Sequence, residues 1–211
     1  MEKLDKIRKS YIEYVLENGK APASFFVFAK KLKMSEAELY EFYTSFESIE
    51  MDVWLSFFEE AKATIEADET YNGYSVREKL LAFYYTWIEV LKANRSFAVY
   101  GYNKLKKPVL KHRPKELKPL KEAFYVFVNN LLMEGKESRE IVSRPYADQR
   151  YADGIWANTL FIVDFWVKDT SRGFELTDTA IEKTVNAGMD VIGKSIVDSV
   201  FDLAKFVIQN K

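Results

Sequence analysis

The chain has 211 residues, 48% hydrophobic and 16% aromatic, with 31 Lys or Arg against 32 Asp or Glu and a formal net charge of −1. That length builds one large domain or a small and a medium one, and a charge so near zero excludes whole-chain attraction to nucleic acid or anionic lipid. With no Cys, disulfides, thiolate metal sites and Cys nucleophiles are excluded. The opening residues, Met1 to Lys6, lack the apolar region of a signal peptide. The most apolar run, Ile155 to Val167, is about half a membrane span and holds Asn158 and Asp164. A soluble, cytoplasmic protein with no stable membrane insertion is expected.

In chain order the pattern is helical. Leu4, Ile7, Tyr11, Tyr14 and Val15 share one face, so residues 3–18 form an amphipathic helix that stops at Asn18-Gly19. Ser24 to Leu32 gives a second, short helix. Ser35 with Glu38 has capping-box spacing and opens a third, Glu36 to Phe42; Thr44 with Glu47 repeats that spacing before a long helix over 46–68. After the Asn72-Gly73 turn, Ser75 with Glu78 opens a helix to about Ala93, with Val76, Leu80, Phe83, Tyr84, Trp87, Ile88 and Leu91 on its apolar face. A shorter helix covers Arg95 to Lys104.

From Lys104 to Lys121 the chain carries eight basic residues and one acid, Glu116, broken by Pro108, Pro114 and Pro119. This basic segment is either a solvated connector or a site for an anionic head group. A further helix lies within Lys115 to Glu137. A long one runs from about Tyr146 to Ser171, and Thr179 with Glu182 caps a last one reaching about Gln209. The expected fold class is therefore all-α, with about nine helices.

A long helix, a short one, a turn and another short helix make a helix-turn-helix unit. Ser35, Leu39-Tyr40, Tyr43 and Ser45-x-Glu47 resemble the TetR family of bacterial regulators, which here usually carries G-V-S-x-G-T-L-Y-x-x-F-x-S-K-E-x-L. The resemblance covers roughly the first 55 residues. It implies a helix-turn-helix DNA-binding-like domain over 1–48 and a helical ligand-binding and dimerisation domain over 49–211. It also implies a homodimer through the last two helices, a DNA operator as partner, and a small hydrophobic effector. The DNA-facing set is then Ser24, Lys31, Lys33, Ser35, Tyr40 and Tyr43. Aromatic residues expected around the effector are Phe83, Tyr84, Trp87, Tyr100, Tyr102, Phe124, Phe127, Phe161 and Phe165, each of which also suits plain core.

The charges complicate the DNA reading. Residues 1–50 carry eight Lys or Arg against nine Asp or Glu, and Glu36 to Phe42 has Glu36, Glu38 and Glu41 with no Lys or Arg. Carboxylates oppose the phosphate contacts that supply most DNA affinity. The alternative is therefore a TetR-fold protein that has lost DNA binding and serves as a lipid- or isoprenoid-binding accessory. No enzyme is expected. The single His, His112, lies in the basic segment without partners for a triad or a metal, and no phosphate loop or nucleophile elbow occurs. No cofactor and no metal is implied.

Overall fold

The computed structural model describes residues 2–105, 117–144 and 147–193. Among them are nine α-helices and no strand. They are α1 (Glu2–Asn18), α2 (Phe25–Leu32), α3 (Glu36–Phe42), α4 (Phe46–Glu66), α5 (Val76–Ala93), α6 (Arg95–Leu105), α7 (Lys118–Glu137), α8 (Asp148–Lys168) and α9 (Glu175–Ile192). The all-α class holds. Most of the basic segment, including His112, and everything after Gly193 lie outside the described residues. The chain divides into two compact units, Met1–Lys62 with Trp87–Ala123, and Ala63–Thr86 with Phe124–Lys211.

In the first unit, α1 buries Ile7, Tyr11 and Val15 at the spacing of one helix stripe. It ends where Gly19, at φ +67°, turns left-handed and returns its N–H to the Val15 carbonyl at 2.8 Å. Ser24 caps α2, its Oγ accepting from the Val27 N–H at 3.2 Å. The end of α2 is a Schellman turn. Lys33 sits at φ 58°, ψ 41°, its N–H bonds the Lys30 carbonyl at 3.2 Å, and the Met34 N–H bonds the Ala29 carbonyl at 3.1 Å. Ser35 then caps α3 by accepting from the Glu38 N–H at 3.1 Å. Only half of that capping box forms, because the Glu38 carboxylate accepts from Lys3 Nζ at 2.9 Å instead.

At α4 the expected Thr44–Glu47 box is replaced one residue later. Ser45 and Ser48 exchange N–H···Oγ bonds, each 3.2 Å. A hydroxyl at both ends of the x-x spacing does the work of the hydroxyl–carboxylate pair.

The second unit is built on aromatic packing. Phe83 of α5 lies 5.9 Å from Phe124 and 5.0 Å from Phe127 of α7, and Phe124 lies 5.4 Å from Trp156 of α8. The Ser75–Glu78 box opens α5 as expected, with the Glu78 carboxylate on the Ser75 N–H at 2.8 Å. Glu140 adds a second acid there, accepting from the Val76 and Arg77 N–H groups at 2.7 and 3.0 Å. Both acids complement the positive end of the helix dipole.

Helix α9 departs from the sequence expectation at its start, and the expected run to about Gln209 lies outside the described residues beyond Gly193. It begins at Glu175, not after a Thr179–Glu182 box, and Thr179 Oγ1 donates back to the Glu175 carbonyl at 3.1 Å. The cap comes from Asp169, buried in the α8–α9 turn. Its carboxylate accepts from the Ser171 N–H (2.8 Å), the Thr177 N–H (2.9 Å) and Thr177 Oγ1 (2.7 Å). At the other end the described helix stops at Ile192. Arg144 donates to the carbonyls of Val191 and Gly193, both at 2.9 Å, and the Val142 N–H donates to that of Ile192 at 3.0 Å.

Two stability outcomes follow from these turns. Lys33 occupies a left-handed position that costs a side-chain-bearing residue about 1 kcal/mol relative to Gly. Lys33→Gly should raise the thermal midpoint by about 2–4 °C in a chain of this size. Burial pushes the Asp169 carboxyl up, but its bonds to Thr177 and Ser171 outweigh that and hold it at about 2. A carboxyl lowered on folding stabilises above its unfolded value near 3.9, and that stabilisation is lost as pH falls toward about 2. Thermal melts of Asp169→Asn against wild type should differ most near neutral pH, and the gap should close between about pH 4 and pH 2.

Candidate functional site

Two places in the fold can engage a partner: the α2–α3 surface in the first unit and a cleft in the second. On the α2–α3 surface, Leu39 is the one buried residue of α3. The ring of Tyr40 stacks on Phe25 at 4.8 Å between centroids and is still 51% exposed. Phe26 and Val27 of α2 are exposed as well. Ser24 and Ser35 are exposed helix caps whose hydroxyl protons remain free to be donated.

The lysines around this surface divide into two groups. Lys3 is paired with Glu38 and Lys31 with Glu17, each at 2.9 Å, and Lys31 also lies 5.2 Å from the Tyr14 ring centroid. Lys30 and Lys33 are exposed and form no ion pair among the described residues. Half of the cations nearest the turn are thus already neutralised by acids of the same unit. Tyr43, expected on this surface, is not on it. It is 7% exposed, and its hydroxyl donates to the Asp52 carboxylate, which also accepts from Arg8 Nη1 at 3.1 Å. Burial, reinforced by Asp52, raises the Tyr43 phenol well above its ordinary value, so it stays a donor. The family pattern has Phe at this position. Tyr keeps the buried ring and adds one hydrogen bond.

The nine aromatic residues expected around an effector fall into separate groups. Phe83, Phe124 and Phe127 are buried against one another, with Phe124 and Phe127 6.5 Å apart. Trp87, which is buried, and Tyr100 and Tyr102, which are half-buried, belong to the first unit. Phe161 and Phe165 form a ring pair at 5.9 Å, and Phe161 is 47% exposed. Among the nine, Tyr84 alone lines the cleft.

That cleft, about 440 Å³, lies along α5, α8 and α9, with Tyr84, Tyr151, Ile155, Asn158, Val185 and Met189 on its walls. Its size falls within the range of small-molecule sites. The hydroxyl of its lining residue Tyr84 is satisfied: Tyr84 Oη and Thr159 Oγ1 are 2.9 Å apart, and Thr159 donates to the Ile155 carbonyl at 2.9 Å. Burial raises the Tyr84 phenol, so it remains neutral. Reasoning from bulky aromatics missed the α8 and α9 walls because large rings fill space. The signal was in small residues: Gly154 and Gly188 line the cleft, and a Cβ on either would meet nothing within 4 Å. At Gly193 a Cβ would stand 2.9 Å from the Met189 carbonyl oxygen, which accepts the Gly193 N–H at the end of α9, so a glycine suits that helix end.

Outside the cleft, α8 and α9 leave Leu160, Phe161 and Leu176 exposed. The long apolar run of α8 thus has one buried stripe, through Tyr151, Trp156, Thr159, Ile162 and Trp166, and a second apolar stripe open to solvent. Asp164 lies at its wet edge, paired with Lys168.

Among the described residues a short helix, a tight turn and a second short helix stand near the start, and the long helices α8 and α9 pack together later. A family model described as tetracyclin repressor-like, C-terminal domain, matches residues 79–207. The chain belongs to the TetR family. No curated protein matches it.

The Tyr43 hydroxyl gives a clean test of structural against DNA-facing roles. Tyr43→Phe removes one buried hydrogen bond, worth about 1 kcal/mol, and should lower the thermal midpoint by about 2–4 °C. Duplex affinity, measured by anisotropy, should be unchanged.

Proposed function

We propose that this chain is a ligand-responsive TetR-type regulator acting in the cytoplasm as a homodimer. Residues 1–48 meet DNA through Ser24, Lys30, Lys31, Lys33, Ser35 and Tyr40. Residues 49–211 hold a small apolar effector and join the second copy through α8 and α9. The observation that carries this reading is the α2–turn–α3 unit. Its second helix buries a single residue and exposes Ala37, Tyr40 and Glu41, as a helix entering a major groove requires. The exposed apolar stripe of α8 and α9 supports the dimer, because a solvent-facing patch of that kind marks an interaction surface. The cleft lined by Tyr84, Tyr151 and Met189 supports an apolar effector. Effector binding regulates by favouring one arrangement of the dimer over another. Half-sites about 34–36 Å apart are then no longer matched.

The ion pairs Lys3–Glu38 and Lys31–Glu17 favour a second reading. In it the dimer and its cleft persist without DNA binding, as a lipid- or isoprenoid-binding accessory. Among the described residues no helix is long and apolar enough to cross a membrane, so lipid would be carried in the cleft.

Fluorescence anisotropy against the upstream region of its own gene and pooled genomic fragments separates the two. Lys30 and Lys33 from two protomers neutralise about four phosphates, so affinity should fall roughly a hundredfold between about 50 and 200 mM salt. Absence of binding at the lower salt, from a folded dimer, would replace the regulator with the accessory. Native mass spectrometry should then show a co-purified apolar molecule.

A further inference from the structure

The free face of α3 is small and chemically narrow. With Leu39 buried, Ala37, Tyr40 and Glu41 stand at i, i+3 and i+4 and share the exposed side. Two of the three carboxylates in this helix have a structural account. Glu36 and Glu38 lie in its first turn, where acids complement the dipole, and Glu38 is also neutralised by Lys3.

Glu41 has neither account. It is exposed in the last turn, where a carboxylate opposes the dipole, and it forms no hydrogen bond or ion pair among the described residues. It lies near enough to Lys3 to act on its charge, but Lys3 is bonded to Glu38.

A carboxylate facing DNA is repelled by phosphates but can accept a hydrogen bond from the N4 amino group of cytosine. Adenine also offers an amino donor, but its N7 acceptor lies beside it, which suits Gln or Asn and disfavours Glu. Tyr40, adjacent to Glu41, is fixed by its stack on Phe25, so this face of α3 has a defined surface to present to base edges.

We infer that Glu41 is a specificity-determining residue that reads a cytosine amino group in the major groove. The operator half-site then carries a C·G pair beneath it. This inference rests on the DNA-binding reading above. On it, α3 contributes selection among sequences, while Lys30 and Lys33 contribute attraction.

The test selects duplexes from a random library with the full chain at about 50 mM salt. The enriched site is then remeasured with its cytosine changed to thymine, for wild type and for Glu41→Gln. Thymine places the O4 acceptor where the amino donor stood. Wild type should enrich a cytosine and lose about tenfold or more in affinity on the change to thymine. Glu41→Gln should bind duplexes more tightly in general and reduce that loss to about twofold or less. Enrichment without a cytosine, or a loss that Glu41→Gln leaves intact, overturns the inference while DNA binding stands. No enrichment at all, from protein that circular dichroism shows folded and light scattering shows dimeric, overturns the DNA-binding reading itself, and the inference with it.

Discussion

The first unit is organised around one buried carboxylate. Glu50 of α4 is 4% exposed and accepts from Tyr11 Oη of α1 at 2.7 Å and from Lys104 Nζ of α6 at 2.6 Å. A buried charge persists only where its partners are held in place, so the three helices that supply them are fixed together. Burial, then the Glu50 carboxylate, raises the Tyr11 phenol, which keeps it a donor. The Tyr11 ring extends the arrangement, meeting Phe28 of α2 at 5.8 Å, Phe46 of α4 at 5.7 Å and Phe97 of α6 at 6.4 Å. Two residues further along α4, Asp52 holds α1 again through Arg8, and it also holds Tyr43 at the end of α3. The placement of the α2–α3 surface thus depends on two acids of α4 gripping α1.

This dependence bears on the charge of the α2–α3 surface. Acids in the first unit do structural work: Glu50 is buried and Asp52 half-buried among their partners, and Glu38 and Glu17 stand against Lys3 and Lys31. The last two pairings neutralise cations beside the α2–α3 surface. What remains free near the turn is Lys30 and Lys33, and Lys33 is in a backbone conformation that Gly would hold at lower cost. The same surface exposes Phe26, Val27 and Tyr40.

Much of this fold was legible in the sequence because its punctuation is local. Ser24, Ser35 and Ser75 cap helices within three residues of their own position, and the 3.6-residue spacing of Ile7, Tyr11 and Val15 marks a buried stripe. What escaped is non-local or volumetric. Asp169 caps a helix eight residues away through Thr177, a partner no spacing rule singles out. Tyr43 matches a motif position that suggested exposure, and only the approach of α4 shows it buried. The effector set was drawn from the largest rings, yet Phe83, Phe124 and Phe127 consume the space they were expected to surround. The space lies where side chains are small, beside Gly154 and Gly188.

The satisfied Tyr84 hydroxyl limits the polar pairing that the cleft demands of an occupant. Tyr84 and Thr159 satisfy each other and the Ile155 carbonyl, so neither hydroxyl must find a partner in an incoming molecule. An occupant would gain chiefly by covering the walls supplied by Leu80, Ile155, Val185 and Met189. At about 25 cal/mol for each Å² of apolar area, shape and extent of coverage then decide affinity more than any single hydrogen bond. Such a site discriminates poorly between molecules differing by one methylene, a distinction worth only about 1–3 kcal/mol.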